Sequence, residues 1–248
     1  MTRSTLVEVC LDSVESAVTA AEAGAERVEL CDDLVEGGTT PSAGMIEVIR
    51  ERVDLGLQVM IRPRGGDFVY SADEQAVMAR DVEVARERGA DGVVLGLLLP
   101  DGRIDRDGTA RLVERAGPLS VTFHRALDMT RDPLASLEVL VELGVDRILT
   151  SGQEADVPAG LGLIRQLVEA ARDRLVVMPG CGIDESNARG VVEASGAREI
   201  HVALTESRPS PMRWQNPRIF MGTSPGRPEY ERPVTSRQRL ERLLASLP

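Results

Sequence analysis

Short aliphatic runs of strand character alternate with longer helical patterns along almost the whole chain, and this alternation constrains the fold more than any other feature. The strand-like runs are predicted at 6–11, 27–31, 57–62, 92–97, 120–125, 146–150, 175–178 and 199–203. The helical patterns between them are predicted at 13–23, 42–52, 73–88, 107–115, 133–143, 159–171 and 185–194. Several helices end at a glycine that leads into the next strand, as at Gly24, Gly89 and Gly144, which is typical of a helix C-cap. Strict alternation of this kind predicts a parallel sheet.

Eight such units favour a closed (β/α)8 barrel of the TIM type over an open doubly wound sheet, although periodicity alone does not separate the two. The length of 248 residues suits one barrel of about 250 residues. We see no domain boundary, so the prediction is a single domain over residues 1–248. No GxGxxG pattern follows the first strand, which argues against a dinucleotide-binding fold. A nicotinamide or flavin cofactor is therefore not expected.

The segment after the eighth strand, residues 205–235, is rich in proline, arginine and serine and contains the only tryptophan, Trp214. A connection of about thirty residues in a compact domain is usually either disordered or functional, and we predict a long loop here. Residues 236–247 carry Leu240, Leu243, Leu244 and Leu247 at helical spacing. They predict a terminal helix, the eighth of the outer ring.

Composition excludes several classes of function. The formal net charge of -11 argues against binding to nucleic acid or to an anionic membrane surface, because both require positive potential. No apolar run approaches the roughly 20 residues that span a bilayer, and the N-terminus lacks a signal-peptide pattern, so a cytoplasmic location is expected. All 29 basic residues are arginine. Without a lysine amine, neither a Schiff-base aldolase nor a pyridoxal cofactor is expected.

Polar residues occupy positions that should face the interior of the barrel. If the aliphatic residues of each strand face the helices, alternation sends the intervening residues into the lumen. These inward residues are predicted to be Glu8, Cys10, Glu29, Cys31, Met60, Arg62, Thr122, His124 and His201. Such groups are costly to bury unpaired, so they must contact each other, water or a ligand.

Two readings of the acidic and basic lumen residues stay open. The first is structural, with the Arg62 guanidinium bridging the carboxylates of Glu8 and Glu29 and locking the barrel. The second is a catalytic site for a small anionic substrate. In that site His124 is a general acid or base, Glu8 or Glu29 orients it or exchanges its proton, and Arg62 binds the anion.

The loops at the C-terminal ends of the strands supply further candidate substrate contacts, because barrel active sites are built there. Arg64 and Asp67 lie in the glycine-rich turn after the third strand and are better placed than Arg62 to reach a ligand. Arg125 and Asp128 follow His124, and His201 ends the eighth strand. Backbone N–H groups at 150–152 and 179–182 could bind an anion, although any tight turn between a strand and a helix needs glycine.

Cys10 and Cys31 each come two residues after an inward glutamate, at the ends of strands that should be neighbours. Adjacent strands are about 4.8 Å apart, so the two sulfurs could bind one soft ion such as Cu(I), with Met60 as a possible thioether ligand. The alternative is that both cysteines are small buried apolar residues. Cys181 is given no role.

Seven motifs, taken together, resemble the CutC family, described as copper homeostasis proteins. The motifs are EVC at 8–10, RVELC at 27–31, EGGTTPS at 36–42, MIRPRGGDF at 60–68, TFHRA at 122–126, ILTSG at 148–152 and EIH at 199–201. The tail also fits, with FMG at 220–222 and EY at 229–230. The resemblance implies a TIM-type barrel, a cytoplasmic location, homo-oligomers such as dimers or tetramers, and Cu(I) ligation by Cys10 and Cys31.

Two positions depart from the pattern that the resemblance implies. Cys181 stands in a turn that is typically all glycine, and the ending of strand eight at 201–204 replaces small residues with larger ones. The second change is expected to narrow the mouth of the barrel. The sequence thus favours two functions, copper homeostasis through Cu(I) binding and, as the alternative, an enzyme acting on a small anionic metabolite at the C-terminal mouth.

Overall fold

Eight parallel strands alternate with helices in the computed structural model, which describes residues 5–219, 221 and 229–247. The parallel strands are β1 Leu6–Leu11, β2 Arg27–Leu30, β3 Gly56–Met60, β4 Gly92–Leu95, β5 Ser120–Phe123, β6 Arg147–Thr150, β7 Val176–Pro179 and β8 Glu199–Val202. The helices are α1 Val14–Glu22, α2 Ala43–Arg52, α3 Ala72–Glu87, α4 Arg106–Ala116, α5 Pro133–Glu142, α6 Val157–Ala171, α7 Ala188–Ser195 and α8 Arg237–Ser246. Short 3-10 helices cover Leu34–Glu36 and Arg125–Met129.

The strands form one sheet in the order β7-β6-β5-β4-β3-β2-β1-β8. The two outer strands of that order meet at a parallel bridge between Gly180 and His201, so the sheet closes on itself. The (β/α)8 barrel is therefore confirmed, and the open doubly wound alternative is wrong. No helix among the described residues combines the length and apolar character needed to cross a bilayer.

Polar caps define where most of the helices begin. Ser13, Ser42, Asp105, Asp132 and Asp156 each accept a hydrogen bond from a backbone N–H in the first turn of the helix that follows. At α3, the caps of Ser71 and Glu74 are reciprocal and form a capping box. Such caps stabilise a helix by about 1 kcal/mol each, and they fix the point at which each loop of the barrel mouth ends.

The main core lies between the strands and the helices. The outward residues of β1 and β2, such as Val7, Val9 and Val28, are fully buried against the helical layer. Inside the barrel, a separate small apolar cluster contains Cys31, Met60 and Val94, with Cys10 packed against it. The alternation assumed for the strands is thus confirmed, and the lumen is where the polar residues collect.

Many boundaries differ from the sequence prediction by one to three residues, and three of these differences have a clear structural cause. Strand β3 ends at Met60, two residues early, because the Arg62 N–H donates to the Thr40 hydroxyl rather than to a neighbouring strand. Strand β5 ends at Phe123, and the next residue caps a 3-10 helix. Helix α7 begins at Ala188 because the Asp184 N–H donates to the side chain of Asn187 in a preceding turn.

Both ends of the segment 205–235 form strands, where the sequence predicted a long loop. Strands β9 Thr205–Pro209 and β10 Glu231–Thr235 pair as an antiparallel ribbon. Glu15 on α1 forms ion pairs with Arg208 and Arg232 of the ribbon, and Trp214 is 78% exposed.

The terminal helix is confirmed as α8, in which Leu240, Leu243 and Leu244 are buried. The predicted tail motif at 220–222 lies largely outside the described residues.

Candidate metal centre

Four side chains converge in the lumen near the C-terminal ends of β1, β2 and β8. They are the thiols of Cys10 and Cys31, the carboxylate of Glu29 and the imidazole of His201. Parallel pairing aligns Cys10 with Glu29 and aligns Glu8 with His201. Cys31 follows directly after β2 and is 1% exposed, and Glu29 is 2% exposed. Register and alternation together therefore place these side chains around one buried point.

The Cys10 and Cys31 sulfurs lie close to each other and to Glu29. Ligand atoms of these three residues are all within 4.8 Å of one another, and the Cys31 thiol donates to Glu29 Oε2 over 3.5 Å. Gly38 covers the Cys31 thiol at a φ of 90°, and a Cβ at this position would stand 3.0 Å from the Cys31 sulfur. The close approach of the loop requires glycine.

His201 connects the thiols to both lumen glutamates. Its Nδ1 is 2.9 Å from Glu8 Oε1, and its Nε2 is 3.6 Å from Glu29 Oε2. The expectation that Glu8 or Glu29 orients His124 is not met, because His201 is the histidine that contacts both carboxylates. The parallel register of β1 and β8 is the reason, since it places Glu8 beside His201.

A network of buried charges lies below His201, and sequence reasoning missed it. Arg27 donates to Glu8 over 2.5 Å and also binds Glu199. Arg147 binds Glu199 at 2.6 Å and donates to Thr122 over 3.1 Å. The signal was present in the sequence, because Arg27 and Glu199 stand two residues before the inward residues Glu29 and His201. Continuing the same alternation to the first residue of each strand would have found them.

Arg62 does not bridge the two lumen carboxylates, so that prediction is wrong. Its guanidinium donates to three backbone carbonyls, those of Glu36 at 2.6 Å, Gly38 at 2.8 Å and Gly66 at 3.0 Å. Because Arg62 lies beyond the end of β3, it points into the loops and ties them together. The bridging arginine of the lumen is Arg27.

Arg64 and Asp67 are likewise engaged within their own loop. Arg64 donates to Glu74 over 2.5 Å and to the Val69 carbonyl over 2.9 Å. Asp67 accepts from the Val69 N–H at 2.9 Å. These contacts shape the turn after β3 and fasten it to the start of α3.

His124 is enclosed at the end of β5. It is 3% exposed, its Nδ1 accepts from the Ala126 N–H at 3.1 Å, and its ring lies 4.9 Å from the ring of Phe68. Burial and the nearby Arg62 charge lower the pKa of His124 to about 3. A neutral imidazole of such low basicity is poorly matched to proton transfer near neutral pH.

Asp128 fills the anion-binding turn that was predicted after β6. Its carboxylate accepts from the backbone N–H groups of Ser151 at 2.9 Å and Gln153 at 3.1 Å, and from the Thr150 hydroxyl at 2.5 Å. Arg125 donates to the same carboxylate over 2.9 Å. The turn therefore binds a carboxylate of the protein itself, and the prediction that it offers free donors to a ligand is wrong.

A cavity of about 370 Å³ lies between the thiol centre and the surface. Its lining includes Cys10, Arg125, Cys181, His201 and Arg239. Cys181 adopts a φ of 95°, and its thiol donates to the Ala155 carbonyl over 3.3 Å. Ala203 and Leu204, the residues expected to narrow the mouth, also line this cavity. The cavity gives the two inward residues Cys10 and His201 a route to solvent.

Mutual contacts shift the ionisation of the centre. A hydrogen bond from Cys31 lowers the pKa of Cys10 well below its ordinary value, and the same bond with burial raises the pKa of Cys31. Burial raises the pKa of Glu29. Although burial opposes the shift, Glu29 and Cys10 raise the pKa of His201 well above its ordinary value. Burial also opposes the shift at Glu8, where His201 and Arg27 lower the pKa of the carboxyl to about 2. Cys10 is thus the thiol that ionises first.

Comparisons of this chain with a family model and with known sequences identify the same family. A model of the CutC family matches residues 5–206. A mouse protein named copper homeostasis protein cutC homolog is 49% identical over 240 residues, covering 97% of this chain and 88% of that protein. A CutC family protein of Chromobacterium violaceum is 47% identical over 242 residues, covering 98% of each chain.

Comparison with solved structures agrees. A crystal structure of CutC from Streptococcus agalactiae superposes with a TM-score of 0.76 at 35% identity, covering 79% of this chain and 97% of that one. A phosphoribosylanthranilate isomerase of Thermotoga maritima gives a TM-score of 0.57 at 13% identity, covering 98% and 97%. The second likeness shows the barrel fold alone.

Proposed function

The chain belongs to the CutC family, and from that premise we propose that it acts in copper homeostasis by binding Cu(I) through Cys10 and Cys31. The observation that carries the proposal is the placement of both sulfurs within 4.8 Å of each other and of Glu29 in the lumen. Thiolates are soft ligands that select Cu(I) over harder ions. Copper is the cargo in this proposal rather than a resident cofactor.

The residues around the thiols favour ligation of a cation. A metal ligand must be deprotonated, and the hydrogen bond from Cys31 lowers the pKa of the Cys10 thiol, which favours its thiolate form. The cavity lined by Cys10 and His201 provides access from solvent. Met60 packs beside Cys31, which keeps the surroundings apolar, as suits a soft ion.

A Cu(I) competition assay with a chromophoric chelator tests this function. The reduced protein is expected to bind about one Cu(I) per chain, and Cys10→Ser or Cys31→Ser is expected to abolish the binding. Cys181→Ser is the matched control, since its sulfur bonds to the Ala155 carbonyl instead. Unchanged Cu(I) affinity in Cys10→Ser would remove the proposal.

A second candidate is an enzyme that acts on a small anionic metabolite. The cavity favours it, because Arg125 and Arg239 stand in a lining that also contains Cys10 and His201. Arginine forks bind carboxylates and phosphates in bidentate fashion. In this version His201, and not His124, is the acid or base, because His201 lines the cavity and contacts two carboxylates.

Native mass spectrometry of the purified protein tests the second candidate by detecting a metabolite that copurifies. A thermal-shift screen of small carboxylates and phosphates complements it, since a ligand bound only by the folded state raises the Tm. The shift is expected to be lost in Arg125→Gln and retained in Arg189→Gln, whose side chain pairs with Glu193 on α7. An equal shift in both variants would contradict an anion site in the cavity.

Two further expectations belong to the proposal. We place the protein in the cytoplasm and as a homo-oligomer, both on the basis of the family resemblance. Sedimentation velocity of the purified chain tests the second, and a monomer at all accessible concentrations would reject it.

A further inference from the structure

One oxygen of the Glu29 carboxylate is buried without a partner. Glu29 is 2% exposed, its Oε2 accepts from the Cys31 thiol, and its Oε1 has no hydrogen-bond partner among the described residues. Leaving a buried polar group unsatisfied is unfavourable. Two thiolates alone would suffice for Cu(I), which does not favour carboxylate oxygen. The carboxylate therefore indicates an additional ligand role for the centre.

Two of the distances between donor atoms match the edges of a tetrahedral metal site. Ligand atoms at zinc–ligand bond lengths and the tetrahedral angle lie roughly 3.3–3.8 Å apart, the longer values applying to sulfur. Cys31 Sγ is 3.5 Å from Glu29 Oε2, and His201 Nε2 is 3.6 Å from the same oxygen. The nitrogen–oxygen separation is long for a strong hydrogen bond, and both separations suit two ligands of one ion.

The orientation of His201 is that of a metal ligand. Glu8 lies 2.9 Å from Nδ1, so a proton on Nδ1 is held by a carboxylate and Nε2 is left facing Glu29. A carboxylate behind a histidine fixes the ring and raises the basicity of the ligating nitrogen in many metal sites. Arg27 in turn holds Glu8 through a 2.5 Å contact, so the support of the ring extends through the lumen.

We propose that the same centre binds a divalent cation of borderline softness, with Zn²⁺ as the best match, through Cys10, Cys31, Glu29 and His201. Sulfur, nitrogen and oxygen donors in a tetrahedral set are what Zn²⁺ takes in proteins. Two thiolates and a carboxylate carry three negative charges, which a divalent ion offsets better than a monovalent one. Glu8 is a positioning residue that acts on His201. This inference rests on the thiol pair of the proposed function and extends the ions that it accepts.

The experiment compares two metals on the same reduced apoprotein. Zn²⁺ affinity is measured by competition with a chromophoric chelator, and Co²⁺ serves as the spectroscopic probe of a tetrahedral thiolate site. Glu29→Gln and, as a second variant, His201→Gln are expected to weaken Zn²⁺ binding by about tenfold or more. The Cu(I) affinity of both variants is expected to stay within about threefold, since the two thiols remain. Glu47→Gln, a half-exposed glutamate on α2, is the control.

The outcomes separate the two ideas. Unchanged Zn²⁺ affinity in both variants overturns this inference and leaves Cu(I) binding intact. Unchanged Cu(I) affinity in Cys10→Ser removes the proposed function. An equal loss of both metals in the glutamine variants also overturns it, because that result indicates a disturbed centre rather than a lost ligand. X-ray absorption of the Zn²⁺-loaded wild-type protein needs no variant. Two sulfur and two lighter neighbours are expected, and the absence of sulfur rejects the site.

Discussion

At the scale of single residues, the buried ion pairs affect the stability of this protein more than the exposed ones do. Arg27 is 7% exposed and joins two carboxylates, Glu8 and Glu199, below the candidate centre. Most other ion pairs are at least partly exposed, as in Arg165 with Glu169. Exposed pairs contribute little to stability, whereas breaking a buried pair leaves an unpaired charge in the interior and destabilises the fold.

Replacing Arg27 by methionine is expected to lower the free energy of unfolding by about 3–5 kcal/mol. The change keeps much of the side-chain volume but leaves Glu8 and Glu199 without their shared cation. Urea unfolding followed by circular dichroism measures the loss. The matched control, Arg165→Met on the surface of α6, is expected to change stability by about 0.5 kcal/mol or less, and a similar loss in both variants would contradict the role of the buried network.

His124 makes a separate prediction about pH. Its folded-state pKa of about 3 lies below the unfolded value of 6.5. At a pH between these two values, the unfolded chain therefore binds a proton that the folded chain does not bind. Stability from this group is therefore complete above pH 6.5 and falls as the pH drops towards about 3, by up to roughly 1.4 kcal/mol per pH unit. His124→Asn preserves an acceptor for the Ala126 N–H and removes the titration.

The measurement is the denaturant midpoint of both proteins across that pH range. The wild-type protein is expected to lose stability more steeply than His124→Asn as the solution is acidified. Parallel curves would contradict the prediction, because they would show that burial does not lower the pKa of His124 in the folded protein.

At the scale of elements, the loops of the barrel mouth are held by side chains that the sequence offers as ligand contacts. Arg62 ties the loop after β2 to the loop after β3 through three carbonyls. Asp128, which is 7% exposed at its side chain, fastens the β5 loop to the β6 loop. Both residues reduce the freedom of the mouth, and a rigid mouth preserves the positions of the groups below it.

Asp128→Asn is expected to loosen the contact between these two loops. The amide lacks the charge that strengthens the hydrogen bonds from Ser151, Gln153 and Arg125, so the expected loss of stability is about 2 kcal/mol. Hydrogen exchange at the Ser151 and Gln153 amides should accelerate while exchange in the strands changes less. Asp54→Asn in an exposed loop is the control, and unaltered exchange at both amides would refute the fastening role.

At the scale of the whole molecule, closure of the barrel depends on both ends of the chain. The bridge from Gly180 to His201 joins β7 to β8, and β8 pairs with β1. Outside that seam, α8 contacts both α7 and α1, so the last helix covers the point where the first and last units meet. The ion pairs of Glu15 with Arg208 and Arg232 add a second attachment of the C-terminal segment to α1.

Leu243→Ala is expected to destabilise the entire barrel by about 2–5 kcal/mol rather than to release α8 alone. Leu243 is fully buried in the core cluster, and its loss leaves a cavity at the seam. Thermal unfolding should remain a single transition with a lower Tm. Val35→Ala, at a side chain that is 50% exposed, is the control, and a separate early transition in Leu243→Ala would indicate that α8 is an independent appendage.

The eight alternating units favoured the barrel, and the helical spacing of the last leucines predicted the terminal helix. The alternation of aliphatic and polar residues by itself determined the inward position of Cys10, Cys31, Glu8, Glu29 and His201. These are consequences of period and of a parallel sheet, which act within a strand or between neighbouring units. The sequence also predicted that the thiols of Cys10 and Cys31 lie close together, because β1 and β2 are adjacent both in the chain and in the sheet.

Only the tertiary structure decided which charges pair. Arg62 and Arg27 carry the same charge, but one lies past a strand end and binds loop carbonyls, while the other lies inside the barrel and binds Glu8 and Glu199. The choice of His201 over His124 depends on β8 closing against β1, a contact between opposite ends of the chain. Pairing in a lumen is set by register across the closed sheet, and no local pattern contains that information.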